Sequence, residues 1–285
     1  MTTIVYICGY GRSGSTMLDR LVGARLGALS AGEMTHLLRH AAENRRCSCG
    51  KTLKTCPVWA STPDSSSSEW IESGMLVFVP AFAIRQLARR AGFVEAWSGL
   101  RSTFDTNGID VVVDSSKTCL PTAGRPLCLR SAGYDVEPVF LWRNPAAAVS
   151  RQQRALGRAK GDATARSDPS RLYPRTLASW LLANALGLVV MRRLGGSLYL
   201  RYEDVAASPA SLDLGRLELE HQSKKGIESV HMCSGNRMVH QPMSVESTSE
   251  DATRGPKDHG VYVLVQRFVA WVVASERTRA RKRYG

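Results

Sequence analysis

The chain has 285 residues, 44% of them hydrophobic, and a formal net charge of +13, which suits one α/β domain with a sizeable core and favours anionic partners. No continuous apolar run reaches the roughly 18 to 20 residues of a membrane span, Leu181–Met191 being too short, and the opening MTTIVYICGYG lacks the regions of a secretion signal, so a cytoplasmic protein with nothing ahead of its first strand is expected. Aromatic residues, at 7% and scattered, argue against a nucleic-acid platform.

The first predicted strand, Thr3–Cys8, is wholly apolar but for its first residue and runs into CGYGRSGSTML. Gly9, Gly11 and Gly14 permit a tight turn and close backbone approach. Ser15 and Thr16 open the predicted helix Thr16–Leu26, whose first amides and dipole favour an anion. Gly9 and Gly14 have the spacing of the nucleotide-hydrolase pattern GxxxxGK[ST], and Thr16 fits its last place. Ser15, however, stands where the lysine would be, and the cation of this loop is Arg12. A weaker strand, Ala28–Ala31, precedes SAGEMTH, which contains Glu33 and His36.

Cys47, Cys49 and Cys56 follow in RRCSCGKTLKTCPVW. Three readings stay open for them: reduced packing cysteines, a zinc site with a fourth ligand from His36 or His40, or a local disulfide. After a polar loop, Ser61–Glu69, a helix is predicted over Met75–Ala91. A strand at Ile109–Val113 leads into DSSK with Asp114 and Lys117, and another at Val136–Trp142 ends on Arg143 before Pro145 and a helix over Ala146–Ala155. A loop at Lys160–Ser170, a helix at Arg175–Leu194 and a strand at Leu198–Leu200 come next. A polar stretch, Gln241–Gly260, leads to a last helix, Val261–Ala274. The basic end RTRARKRYG reads as a solvated helix terminus or as a peripheral membrane-surface contact. Strands separated by helices imply an α/β fold: one domain, 1–285, with a P-loop-type parallel β-sheet flanked by helices on both faces.

GYGRSGSTML resembles the 5′-phosphosulfate loop of sulfotransferases that use 3′-phosphoadenosine 5′-phosphosulfate (PAPS), in the bacterial-type branch with arginine in the loop, a form shared by tyrosylprotein sulfotransferases. The resemblance implies PAPS as co-substrate, no required metal, and a hydroxyl acceptor that is a carbohydrate, lipid, small molecule or tyrosine. It assigns Gly11, Arg12, Ser13, Gly14, Ser15 and Thr16 to the 5′ end of the nucleotide. FLWRNPAAAVSRQQR is similar to the family's 3′-phosphate motif, with Arg143 as its arginine. The family serine lies eight residues on, whereas Ser150 lies seven after Arg143. One residue turns a helical side chain by about 100°, so either Ser150 or Arg151 takes that phosphate. LYLRYEDV is similar to the family's RYEDL segment, with Arg201, Glu203 and Asp204 expected to support the sheet edge. VHMCSGNRM resembles a nucleotide-covering loop, which implies that His231, Asn236 and Arg237 face the cofactor.

The resemblance also suggests catalytic groups. In DSSK, Lys117 would be a second cation for the leaving oxygen, while Asp114 holds the turn. SAGEMTH resembles the GEET segment of tyrosylprotein sulfotransferases, which implies Glu33 as the general base, with His36 or a merely structural Glu33 as alternatives. Partial burial is expected to raise the Glu33 carboxyl toward working pH. A small-molecule kinase is the alternative activity, and the missing loop lysine counts against it.

Overall fold

A computed structural model describes residues 2–62, 74–118, 122–159, 172–220, 230–235 and 260–284. Asn236, Arg237, the loop Lys160–Ser170 and nearly all of Ser61–Glu69 and Gln241–Gly260 lie outside these residues.

Six strands form one parallel sheet in the order β5-β4-β1-β3-β2-β6. They are β1 (Thr3–Cys8), β2 (Leu29–Gly32), β3 (Val111–Asp114), β4 (Asp135–Trp142), β5 (Leu198–Arg201) and β6 (Val230–Ser234). β1 lies inside the sheet, with Thr3 in register with Val111 on one side and Asp135 on the other. Its six residues are all buried, because both faces are covered. Pro138, which has no N–H, sits in β4 just before pairing with β5 starts at Val139 and Leu198. β2 carries a register shift between Ser30 and Gly32 toward both neighbours, a bulge at its carboxyl end.

Val5 and Ile7 face one helical layer, with Met17, Leu18, Val22 and Leu26 of α1 (Ser15–Leu26) and Tyr202, Val205 and Ala206 of α8 (Tyr202–Ala207). Ile4, Tyr6 and Cys8 face the opposite layer. It contains α2 (Leu37–Ala42), α3 (Ala81–Arg90), α4 (Phe93–Thr106), α5 (Arg125–Ser131), α6 (Pro145–Ala159), α7 (Pro174–Leu194) and α10 (Gly260–Tyr284). A short α9 (Arg216–Glu220) follows α8.

Some sequence expectations are corrected. The helix expected over Met75–Ala91 is two pieces, a 3-10 turn at Gly74–Phe78 and α3 from Ala81. Pro80 divides them, since it disfavours helical backbone at Val79. The last helix runs to Tyr284, beyond the expected Ala274. Although no uninterrupted apolar run is long enough, α7 has the length and mean hydropathy, 1.3, of a membrane-spanning helix. Here it packs on β4 and α6 and buries Trp180, Leu186, Val190 and Asn184, which is the environment of a core helix. In the basic terminus, Arg277 donates to the Tyr199 carbonyl and Arg279 pairs with Glu276 at 2.8 Å, so part of that charge is engaged within the chain.

Candidate functional site

Because the sheet is parallel, the segments after β1, β2, β3 and β4 all leave one edge, where ligands bind in open α/β sheets. The loop after β1 has left-handed backbone at Gly9 (φ 125°), Arg12 (φ 68°) and Gly14 (φ 89°). A Cβ on Gly9 would lie 2.1 Å from the Leu141 carbonyl oxygen, so β1 and β4 approach this closely only with glycine there. A Cβ on Gly11 would meet nothing within 4 Å, so internal packing does not require that glycine. Gly14 precedes α1 without a side-chain cap, leaving the first-turn N–H groups directed at the loop. The Ser13 hydroxyl is buried with no hydrogen-bond partner among the described residues. Ser15 and Thr16 are buried in the first turn, while Arg12 is exposed, with Nε 3.4 Å from Gln152 Oε1. An uncapped helix start, an orphan hydroxyl and a projecting guanidinium together suit an anion.

Arg143 follows β4 and is 2% exposed. Its guanidinium lies 4.0 Å above the Tyr202 ring, and Nη1 donates to the Arg12 carbonyl at 3.4 Å. Among the described residues its Nε has no hydrogen-bond partner and no carboxylate forms an ion pair with it. Burial, and then the neighbouring charge of Arg151, push it down to about 10, so it remains charged at neutral pH. Burial and Arg151 also lower Arg154, one turn along α6. Several cations are thus gathered beside the glycine loop. Ser150 is buried on α6, and Arg151 lies close enough to influence Arg143. Around them, Asn144 Oδ1 caps α6 through the N–H groups of Ala146 and Ala147, and Glu203 accepts from Asn144 N–H and Arg201 Nε. The Arg201–Glu203 pair therefore buttresses the sheet edge.

Glu33 follows β2, and Lys117 follows β3 in left-handed conformation, φ 71°. The Lys117 ammonium donates to Glu33 Oε1, and His36 Nε2 lies 3.6 Å from Oε2. Tyr6 Oη donates to the Lys117 carbonyl at 2.7 Å. Thr118 Oγ1 accepts from Gly9 N–H at 3.0 Å and donates to the Ala183 carbonyl at 3.0 Å. These bonds fasten the β3 loop to the glycine loop and the core. The expectation that burial raises the Glu33 carboxyl is reversed. Burial does push it up, but the Lys117 charge and the bonds from His36 and Lys117 outweigh this and hold it at about 2. Asp114 is wholly buried; its Oδ1 accepts from the N–H groups of Met34 and Ser116, and its Oδ2 lies 3.6 Å from Arg125 Nε. It holds this turn, in keeping with the sequence reading.

His231 departs from its expected role: its Nδ1 turns to the cysteines, 3.2 Å from Cys56 Sγ. His36 and His40 do not join those thiols; His40 Nδ1 bonds the Cys233 carbonyl and His36 contacts Glu33. Sequence reasoning missed Tyr202, the seat of Arg143, although RYED contains it, and Thr118, directly after DSSK. A groove of about 870 Å³ lined by Phe82, Arg85, Arg89, Arg130 and Arg193 opens between α3, α5 and α7. It lies beside Gly133 and Leu194, which precede β4 and β5, at the edge opposite this chemistry.

The fold is that of an α/β protein with one parallel sheet, and the residues gathered at its carboxyl edge suit an anion. Two solved structures similar to it are sulfotransferase domains. One, from the Synechococcus PCC 7002 olefin synthase, has 16% identity and a TM-score of 0.49, and the match covers 94% of each chain. Another, from the curacin biosynthetic pathway, has 15% identity and a TM-score of 0.40 over 88% of this chain and 96% of that one. No protein-family model and no curated protein sequence matches the chain.

Proposed function

We propose that the protein transfers a sulfuryl group from PAPS to a hydroxyl acceptor. The observation that carries this reading is the buried Arg143, stacked on Tyr202 and without an ion pair among the described residues, beside the uncapped glycine loop with Arg12. Two anion seats on one sheet edge suit a nucleotide with phosphate at both its 5′ and 3′ ends. In this reading the 5′-phosphosulfate lies against residues 11–16 and the 3′-phosphate against Arg143, with Ser150 or Arg151 completing that seat. Asn236 and Arg237 are assigned to the nucleotide by the resemblance of their segment alone.

The acceptor oxygen attacks sulfur in line, a new S–O bond forms, and the bond between sulfur and the 5′-phosphate oxygen breaks. Adenosine 3′,5′-bisphosphate leaves with that electron pair. Arg12 and Lys117 meet the charge that develops on the sulfuryl and bridging oxygens. Glu33 takes the acceptor proton. Before the donor arrives, Lys117 and Glu33 neutralise each other. A sulfuryl oxygen that engages Lys117 weakens its hold on Glu33, so donor binding raises the basicity of that carboxylate. The kinase alternative lacks both the loop lysine, replaced by Ser15, and an available strand-end carboxylate, since Asp114 is tied to Arg125 and Ser116.

Ligand-dependent melting tests the reading. Adenosine 3′,5′-bisphosphate should raise the melting temperature without magnesium, ATP should do so far less, and Arg143→Ala should abolish the difference. Equal stabilisation by ATP, or strict magnesium dependence, would overturn it.

A further inference from the structure

Away from that chemistry, four side chains converge at the outer edge of the sheet. Cys47, Cys49 and Cys56 come from the turn-rich segment after α2, and His231 comes from β6. All four potential ligand atoms lie within 4.8 Å of one another. Cys56 Sγ is 3.7 Å from Cys47 Sγ, 3.8 Å from Cys49 Sγ and 3.2 Å from His231 Nδ1; Cys47 Sγ is 3.8 Å from the same Nδ1. A tetrahedral zinc with Zn–S of about 2.3 Å and Zn–N of about 2.0 Å sets its ligands roughly 3.8 Å apart sulfur to sulfur and roughly 3.5 Å sulfur to nitrogen. Four of the cluster's six edges match that tetrahedron to about 0.3 Å, and the other two are at most 4.8 Å. The thiols are free, their sulfurs far beyond the roughly 2 Å of a disulfide bond.

The backbone is shaped around the sulfurs. Gly50, at φ 86°, lets the chain turn back so that its N–H donates to the Cys47 carbonyl at 3.0 Å, while Arg46 bridges Thr52. Trp59 Nε1 donates to the His231 carbonyl at 2.7 Å, fixing the strand that presents the imidazole. Cys47 and Cys56 are fully buried and Cys49 is exposed, which encloses the site but leaves one approach for an ion.

We infer that Cys47, Cys49, Cys56 and His231 form a structural Cys₃His zinc site. All four positions are filled by protein, so the site is closed and takes no part in group transfer. Its role is mechanical. β6 is an edge strand registered with β2 only at Ser30–Val230 and Gly32–Ser234. The Glu33 N–H donates to the Ser234 carbonyl at 3.0 Å, so β6 abuts the residue assigned as base. Zinc clamps β6 to the segment that also carries Ser48, whose side chain bonds both Val230 and Met232.

The full-length protein, purified under reducing conditions without chelator, should contain about one zinc per chain by elemental analysis. Cobalt(II) exchanged into it should show the visible bands of a tetrahedral thiolate complex. Cys56→Ala and His231→Ala should each weaken zinc retention at least tenfold against a chromogenic chelator, while Cys128→Ser should retain it. Zinc removal should speed amide exchange at Val230–Ser234. The inference is overturned if the reduced wild-type chain binds neither metal, if Cys56→Ala holds zinc as tightly as wild type, or if alkylation before reduction finds two of these cysteines joined as a disulfide. Metal content is independent of nucleotide binding, so either reading can fail without the other.

Discussion

Gly14→Ala tests the geometry that joins the two anion seats. The new methyl would lie 2.2 Å from Tyr202 Cδ2 and 2.4 Å from Cε2, inside any tolerable contact. The Tyr202 ring is buried and has Arg143 stacked on it, so it cannot swing away without moving that guanidinium. Left-handed backbone at φ 89° costs an alanine about 1–2 kcal/mol. Overpacking against the ring adds about 1–3 kcal/mol. The sum, about 2–5 kcal/mol, corresponds to a fall in melting temperature of roughly 4 to 10 °C for a chain of this size. Displacing Arg143 should also weaken adenosine 3′,5′-bisphosphate binding by about tenfold or more. Calorimetric melting and titration of Gly14→Ala, Tyr202→Leu and the double variant separate the contributions. The double variant should be less damaged than the sum of the singles by about the overpacking cost, because the clash is then relieved. Unchanged melting in Gly14→Ala, or strictly additive effects, would refute the reasoning.

Two more predictions concern a half-buried carboxylate, Glu33, and a buried one, Asp19. In the ligand-free wild type, Glu33, held at about 2, stays ionised from pH 5 to 8, so kcat/KM for the donor should show no acid limb from this group. Lys117→Met removes the opposing charge and leaves burial dominant. An acid limb should then appear in the pH profile of the slower variant, and an unchanged profile would remove Glu33 from the base role. Asp19, wholly buried, is pushed up by burial to about 8, despite accepting the Gly32 N–H. A folded-state pKa above the ordinary 3.8 gives stability fully present below about pH 4 and lost as pH rises through about 8. Asp19→Asn has no such proton to lose, so its melting temperature should gain on wild type across that window; a constant difference would contradict the assignment.

Much of the sheet could be read from sequence, and the reasons are local. Thr3–Cys8 is a nearly unbroken apolar run with glycines directly after it, and the structure starts and ends β1 at those residues. Arg143 announces itself as a charge at the end of a long strand. β6 did not show itself because VHMCS at the edge of the sheet is mixed in polarity and only part-buried. α4 was missed because FVEAWSGLRSTFDT places Gly99 and two serines among its apolar positions. The pairings that define the site are long-range. Lys117 meets Glu33 across 84 positions, and His231 meets Cys56 across 175. No local periodicity links such residues, and only the strand order brings them together.

The buried guanidinium of Arg143 also changes what an empty site means in solution. Buried and with Arg151 nearby, it would, as the proposed 3′-phosphate seat, make the ligand-free chain a sink for small oxyanions. Phosphate or sulfate in a buffer then acts as a competitor as well as a salt. At ten times its own dissociation constant such an ion lowers the apparent affinity for nucleotide about elevenfold while protecting the fold by about 1.4 kcal/mol. In the proposed reading, inhibition and thermal protection by the same simple ion therefore have one origin, and the medium in which the protein is handled would set how tightly it holds a nucleotide.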